Sequence, residues 1–272
     1  MEQNLAVIHE ELLLLMKKFH ELCLEHDIKY SLHGGSLLGA VREKGFIPWD
    51  DDADVSLTRS EFERLRKVLR ETDLGPEFYY DEEARFTKFV MKREGKPPVW
   101  ADIFIYDYIS PKPIARKLKL MSNRFFIMFT RTKEEQALSN HHGLYKGLKK
   151  FALNAVVWVG NLFPMSWRLK WATANMQSFP GDRSLIHRAN DQNEGIHKTT
   201  PTYTMEEYET IPFLGIEVMI MKHHHEILTS CYGPDYMTPR KMKPDAIHVL
   251  SLEAEQNKYI KEFEKKRKRR IQ

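Results

Sequence analysis

Four aspartates crowd one short stretch of this chain, just downstream of a glycine-rich turn. His33-Gly34-Gly35-Ser36 leads, through Pro48-Trp49, into Asp50-Asp51-Asp52-Ala53-Asp54-Val55-Ser56-Leu57. Residues 52–57 read as a strand. Alternate residues on a strand share a face. Asp50, Asp52 and Asp54 are therefore predicted side by side, with Asp51 on the opposite face in a structural role. Like charges that close repel unless something neutralises them. A divalent cation does so, and hard oxygen ligands favour Mg²⁺ or Mn²⁺. Two other readings compete: an exposed acidic turn and a calcium loop. The calcium loop needs glycine where this chain has Val55, and Pro48-Trp49 blocks the helix that would lead into it.

Gly34-Gly35 reads as a sharp turn opening a short helix over 36–43. Glycine lets backbone N–H groups approach an anion closely, and a helix N-terminus favours negative charge. A phosphate held there would lie beside a metal on the aspartates. A further carboxylate is expected from a neighbouring strand. Asp102, in Val99-Trp100-Ala101-Asp102-Ile103-Phe104, is the best candidate. A charge between apolar neighbours on an inner strand is costly unless it is used or paired. The competing reading pairs Asp102 with Lys88 or Arg93.

The rest of the chain is mixed in pattern. Residues 4–26 show helical spacing through Leu5, Ile8, Leu12, Leu15, Phe19, Leu22 and Cys23. Residues 28–32 alternate like a short strand. Ser60-Glu61-Phe62-Glu63 has the form of a capping box, opening a helix to about Glu71. Strands are predicted at 77–81, 86–93 and 99–108, and again within 203–221, followed by a helix at 222–232. Residues 113–178 read as long, basic, aromatic-rich helices, and 180–203 as loop. The fold class is α/β (α+β) with a helical insertion. The divisions are a catalytic domain at 1–112 and 200–250, an insertion at 113–199, and a charged helix with a basic tail at 251–272.

With 272 residues, 42% apolar and 29% charged, the chain has the composition of a soluble globular protein. A chain this long buries roughly 75% of its unfolded surface. No run of about 18 apolar residues occurs, and no basic segment precedes the first apolar stretch, so neither a membrane-spanning helix nor a secretory signal is predicted. Cys23 and Cys231 match no zinc spacing and read as reduced thiols of a cytoplasmic protein, with Cys23 in the core. His223-His224-His225 reads as solvated surface, because adjacent helical residues point in different directions.

At the acidic stretch the sequence resembles the LicD family, bacterial phosphocholine transferases that also resemble fukutin and fukutin-related protein. The resemblance rests on YSLHGGSLLGAVREKGFIPWDDDADVSL, on ADIFIYDY around Asp102, and on the late blocks YETIPFLGIEVMI, LTSCYGPDYMTP and KPDAIH. It implies a nucleotidyltransferase-like mixed sheet, a CDP-choline donor, and a sugar hydroxyl acceptor on a lipid-linked glycan precursor of teichoic acid or lipopolysaccharide type. CMP would be the leaving group. Asp52 and Asp54 map onto the metal-binding pair and Asp102 onto the third carboxylate, with Asp50 supporting them. Gly34, Gly35 and Ser36 would hold donor phosphate. Arg42, Lys88 and Lys92 are candidate phosphate cations. Trp49, Trp100, Tyr106 and Tyr108 are candidates for the quaternary ammonium of choline, which aromatic faces attract; for any single one, a core aromatic is the stronger reading. His248 reads as either a site or a structural residue. A CDP-ribitol or CDP-glycerol donor, or a nucleotidyltransferase acting on a small molecule, would use the same carboxylates.

Charge is unevenly spread. Residues 111–170 carry +10 and residues 258–272 carry +6, against +4 for the whole chain, so the remainder is acidic. Phe125, Phe126, Phe129, Phe151, Trp158, Phe163, Trp167 and Trp171 interleave with the first basic region. This combination predicts peripheral attachment to the inner face of the cell membrane. Nucleic acid ranks below lipid as a partner, because the apolar bulk at 151–165 suits a bilayer better than a phosphate backbone.

Overall fold

The computed structural model describes residues 2–82, 87–94, 96–133, 135–137, 146–178, 183–191 and 197–239. The basic tail and His248 lie outside them. The chain divides into two units. The first comprises Met1–Asp81, Lys88–Ile103 and the chain from Glu207 on; the second comprises Glu82–Thr87 and Phe104–Glu206.

The first unit is built on a long helix and a sheet. Helix α1 (Glu2–Glu25) buries Leu12, Leu15, Met16, Phe19, Leu22 and Cys23, the apolar stripe expected from its spacing. The strands are β1 (Ser31–Leu32), β2 (Ala53–Thr58), β3 (Phe78–Asp81), β4 (Lys88–Arg93) and β5 (Lys96–Ile109), in the order β1-β2-β5-β4-β3. Val55, Leu57, Phe89, Ala101 and Ile103 are fully buried, and Phe19 meets Phe89 with ring centroids 5.6 Å apart. Two short helices complete this part: α2 (Gly34–Arg42) and α3 (Arg59–Glu71).

Two local expectations are corrected. The residue capping α3 is Thr58, not Ser60; its hydroxyl accepts the Glu61 N–H at 3.4 Å. The Glu61 carboxylate then accepts the Lys29 N–H at 2.9 Å, which ties the helix to the chain entering β1. The strand expected over 28–32 shortens to two residues; the Tyr30 N–H donates instead to Met219 Sδ at 3.4 Å. The Tyr30 hydroxyl accepts the Met219 N–H at 3.2 Å.

Met219 belongs to a hairpin of β8 (Tyr208–Phe213) and β9 (Ile216–Met221), turned through Leu214 and Gly215, both at positive φ. Two such residues in a row fit the twist of a two-residue hairpin turn. Ser31 Oγ accepts the Met221 N–H at 3.1 Å, so residues 190 apart in sequence are bonded.

In the second unit the last residues of β5 pair antiparallel with β6 (Leu185–Arg188), which pairs with β7 (Thr199–Pro201). Residues 180–203, expected as loop, thus supply two strands. The Asn190 side chain accepts the Ile105 N–H at 2.8 Å and holds the segment to β5, a long-range bond that no local pattern announces. Three helices follow the expected basic run: α4 (Pro113–Thr130), α5 (Gly147–Gly160) and α6 (Met165–Gln177). Helix α7 (His224–Tyr232) closes the first unit's late segment. The fold is α+β, of the nucleotidyltransferase-like kind expected from the sequence.

Candidate active site

All four aspartates, Asp102 and the glycine turn lie in the first unit. Strand β2 begins at Ala53, one residue later than expected. Asp50, Asp51 and Asp52 precede it on a loop, where alternation of faces does not apply. Pro48 and Trp49 form a tight turn closed by the Asp50 N–H donating to the Ile47 carbonyl at 2.9 Å. Proline suits the second position of such a turn. The turn folds Asp50 back, and carboxylate oxygens of Asp50, Asp51 and Asp52 come within 4.8 Å of one another. Asp51 therefore joins the cluster instead of facing away.

Asp54 sits deeper, on β2. Its N–H donates to Ser36 Oγ at 2.9 Å, and its carbonyl accepts the His33 N–H at 2.9 Å. These two bonds fasten the start of α2 to the acidic strand. The glycines there leave room for carboxylates. A Cβ placed on Gly35 would lie 2.2 Å from Asp50 Oδ2, and one on Gly34 would lie 3.0 Å from Asp54 Oδ2. Gly34 also has φ +53°, a conformation that side chains disfavour.

Burial raises the Asp50 carboxyl to about 8, with repulsion from Asp52 and a hydrogen bond to it adding to the shift. The Asp54 carboxyl is raised well above its ordinary range, first by burial and then by the charges of Asp52, Asp102 and Asp50; Lys88 opposes this. Such a cluster takes up either protons or a cation. The tight group of oxygens, the depth of Asp54 and the cradle at Gly35 fit a hard divalent ion.

Asp102 stands on β5 directly across from Lys88 on β4, which is in turn across from Asp81 on β3. The Lys88 ammonium is 2.7 Å from Asp102 Oδ1 and 4.1 Å from the centre of the Trp100 ring. The competing reading, pairing with Lys88, is the one the geometry shows. Asp102 also belongs to the electrostatic cluster around Asp54.

The other expected residues are dispersed. Arg42 is engaged within the fold, with Nε on Glu43 at 2.7 Å and NH1 on the Tyr236 carbonyl at 3.2 Å. Lys92 lies four residues along β4 from Lys88, about 13 Å at the rise of a strand, and donates to the Pro76 carbonyl. Trp49 is half-buried in the turn beside Asp50. Tyr106 and Tyr108 fall in the second unit; Tyr106 is buried, and Tyr108 carries the Arg183 guanidinium over its ring at 5.3 Å. The three histidines diverge as expected: His223 faces Glu226, His224 the Met221 carbonyl and His225 the Tyr236 hydroxyl.

Sequence reasoning missed two neighbours. His9 Nε2 donates to the Asp50 carbonyl at 2.6 Å while its ring stacks on Phe46. The Tyr232 hydroxyl lies 3.9 Å from where a Cβ on Gly34 would stand. His9 carried no local signal, being 41 residues from its partner. Tyr232 sat inside a late block of the resemblance with no role attached.

Residues 27–132 match the family model described as LicD/FKTN/FKRP, nucleotidyltransferase domain. The chain is 29% identical over 266 residues to the lipopolysaccharide cholinephosphotransferase LicD of Haemophilus influenzae, covering 90% of this chain and 92% of that one. It is 33% identical over 100 residues to an uncharacterized protein of Rickettsia prowazekii, covering 34% of this chain and 38% of that one. Over 55 residues it is 44% identical to an uncharacterized protein of Rickettsia typhi, covering 20% and 18%.

Proposed function

We propose that this chain, whose residues 27–132 match the LicD/FKTN/FKRP nucleotidyltransferase domain, transfers phosphocholine from CDP-choline to a sugar hydroxyl of a cell-surface glycan precursor, releasing CMP. The carrying observation is the cluster of Asp50, Asp51 and Asp52, with Asp50 against Gly35 and Asp54 against Gly34. Similarity to a cholinephosphotransferase along nearly its whole length supports the choice of transferred group.

In the reaction the acceptor oxygen forms a bond to the phosphorus bearing choline, and the bond from that phosphorus to CMP breaks. The backbone N–H groups of Gly34 and Gly35 at the start of α2 would bind donor phosphate. Ser36 is engaged with Asp54 and acts by holding that strand in place. Asp52 and Asp54, with Asp50 and Asp51 beside them, would hold Mg²⁺ or Mn²⁺. Such an ion supplies charge stabilisation for the departing phosphate. Asp102, steadied by Lys88, either completes the carboxylate set or receives the acceptor's proton. Trp49 offers a ring face for the choline head, whereas the Trp100 ring already carries the Lys88 ammonium. The acceptor is lipid-linked, and the enzyme works as a peripheral protein at the inner face of the membrane.

The test is CMP release from CDP-choline by purified protein, with and without glycan acceptor, against CDP-ribitol, CDP-glycerol and ATP. Use of CDP-ribitol or CDP-glycerol in place of CDP-choline overturns the donor and leaves the phosphotransferase class standing. Turnover of ATP alone overturns both.

A further inference from the structure

The helices of the second unit bury polar side chains beside a small apolar core of Leu120, Ile127, Phe129, Val157 and Ala172. Lys119, 3% exposed, donates to the Asn175 carbonyl and to the Ser178 carbonyl at 2.7 Å. Asn123, fully buried, accepts from Asn175 at 2.6 Å. The buried Arg168 guanidinium donates to the carbonyls of Phe129 and Arg131 at 3.3 and 3.2 Å. Gln136 bridges Arg131 and Asn154.

Their exterior carries apolar stripes. On α5, Leu148, Phe151 and Trp158 are 84%, 72% and 59% exposed, and with Leu162 just beyond the helix they recur at helical spacing on one face. On α4 the exposed stripe is Ile114, Leu118, Met121 and Phe125. On α6 it is Trp167 and Trp171. The α4 and α6 stripes adjoin through the ring of Phe129, which is itself buried. Phe125 stacks on Phe129 at 5.8 Å, Phe129 meets Trp171 at 6.0 Å, and Trp171 meets Phe163 at 5.2 Å.

A helical bundle in water ordinarily keeps side chains such as Leu148, Phe151, Trp158 and Trp167 inside. Exposed apolar stripes of this kind mark a contact, and charge selects the occupant. Helices α4, α5 and α6 contain no Asp or Glu, while Lys117, Arg124, Lys149 and Lys170 are exposed on them. A second copy would set these cations against one another; an anionic leaflet would attract them. Among the described residues no helix is long and apolar enough to cross a membrane. Such helices lie in the plane of the interface instead.

We propose that this three-helix unit is the protein's bilayer-docking module. Its apolar stripes enter the boundary between headgroups and acyl chains, and its exposed lysines and arginines rest on lipid phosphates. The buried polar groups hold the helices together when their outer faces leave water. The assignment is independent of the transferase chemistry, because lipid binding is read without substrate.

The test uses the full chain with vesicles of zwitterionic lipid alone and of zwitterionic lipid mixed with anionic lipid. The protein should float with the mixed vesicles at low salt and release at high salt. Its tryptophan emission should be quenched by lipids brominated along the acyl chain. The double variant Phe151→Ser/Trp158→Ser changes only exposed side chains and should keep its circular dichroism. Its partitioning should fall at least about tenfold, in line with the transfer energy of two large apolar side chains, while turnover of CDP-choline with a soluble acceptor stays unchanged. Absence of flotation at low salt overturns the proposal, as does binding unaffected by the double variant. A lipid-free dimer that this variant dissociates, with no vesicle binding, would assign the face to a second copy and also overturn it.

Discussion

The Ser36 hydroxyl accepts the backbone N–H of Asp54 at 2.9 Å, and the Asp54 carbonyl accepts the His33 N–H at the same distance. The glycine turn and the acidic strand are therefore one structural piece, although 18 residues separate Ser36 from Asp54.

Ser36→Ala leaves the Asp54 N–H without its acceptor. Losing one partner of a buried hydrogen bond costs about 1–3 kcal/mol. We expect the denaturant midpoint to fall accordingly with the slope unchanged, and turnover to fall as Asp54 loosens. An unchanged midpoint would show that the bond carries no weight.

Gly35→Ala is expected to damage the site more than Gly34→Ala. The first change sets a methyl group 2.2 Å from Asp50 Oδ2, so the carboxylate must move; the second leaves 3.0 Å to Asp54 Oδ2 but strains a backbone at φ +53°. Gly34→Ala should cost roughly 1 kcal/mol of stability, the scale of the left-handed penalty. Gly35→Ala should show its effect chiefly as a fall in turnover. Equal turnover in the two variants would contradict the close approach.

Asp52→Asn and Asp54→Asn keep side-chain shape and remove ligand charge. Turnover should fall at least about a hundredfold in each, while thermal stability holds or rises because repulsion is relieved. Full activity in EDTA, or near-wild-type turnover in either variant, would rule out the metal assignment.

Stability of the metal-free protein should fall as pH rises. The Asp50 carboxyl moves from an ordinary value of 3.8 to about 8 on folding. Between those values the folded chain holds a proton that the unfolded chain has released, so raising the pH favours unfolding. The contribution is complete below about pH 4 and is lost by about pH 8. Thermal melting across this range should show the slope, Asp50→Asn should flatten it, and Mg²⁺ should restore the melting temperature at the alkaline end. A melting temperature rising from pH 5 to 8 in the wild type but not in Asp50→Asn would refute the raised carboxyl.

Lys88 and Asp102 should be coupled. Lys88→Met leaves Asp102 beside Asp54 without its cation, and Asp102→Asn removes the carboxylate 2.7 Å from the ammonium. Each single change should destabilise by about 1–3 kcal/mol, while the double variant should regain part of that loss. Activity should fail in Asp102→Asn and stay lost in the double variant, since recovered stability does not replace the carboxylate. Additive single effects on stability would show that the ion pair is incidental.

Much of this was legible locally. The stripe from Leu12 to Cys23 is short-range periodicity, and so is the run of basic helices. The concentration of carboxylates between Asp50 and Asp54 announced a charged site, because four acids at that spacing have few neutral explanations. The errors came where a long-range partner overrode a local rule. Alternation assigned Asp51 to the far face, but the Pro48-Trp49 turn takes residues 50–52 off the strand. The capping-box pattern pointed to Ser60, but Thr58 holds the cap and Glu61 is spent on Lys29. The loop expected over 180–203 became strand because β5 offered an unpaired edge.

Residue types and their spacing determined which groups could carry chemistry: short-range sterics and like-charge repulsion act along the chain and can be read from it. Tertiary structure decided which of those groups meet. It withdrew Arg42 and Ser36 into fold-holding bonds, paired Asp102 with Lys88, brought His9 to Asp50, and buried Lys119, Asn123 and Arg168 in the helical unit while leaving Phe151, Trp158 and Trp167 exposed. Those outcomes depend on hydrogen bonds, ion pairs and close packing between residues tens to hundreds of positions apart. Such contacts form only once the chain has closed on itself.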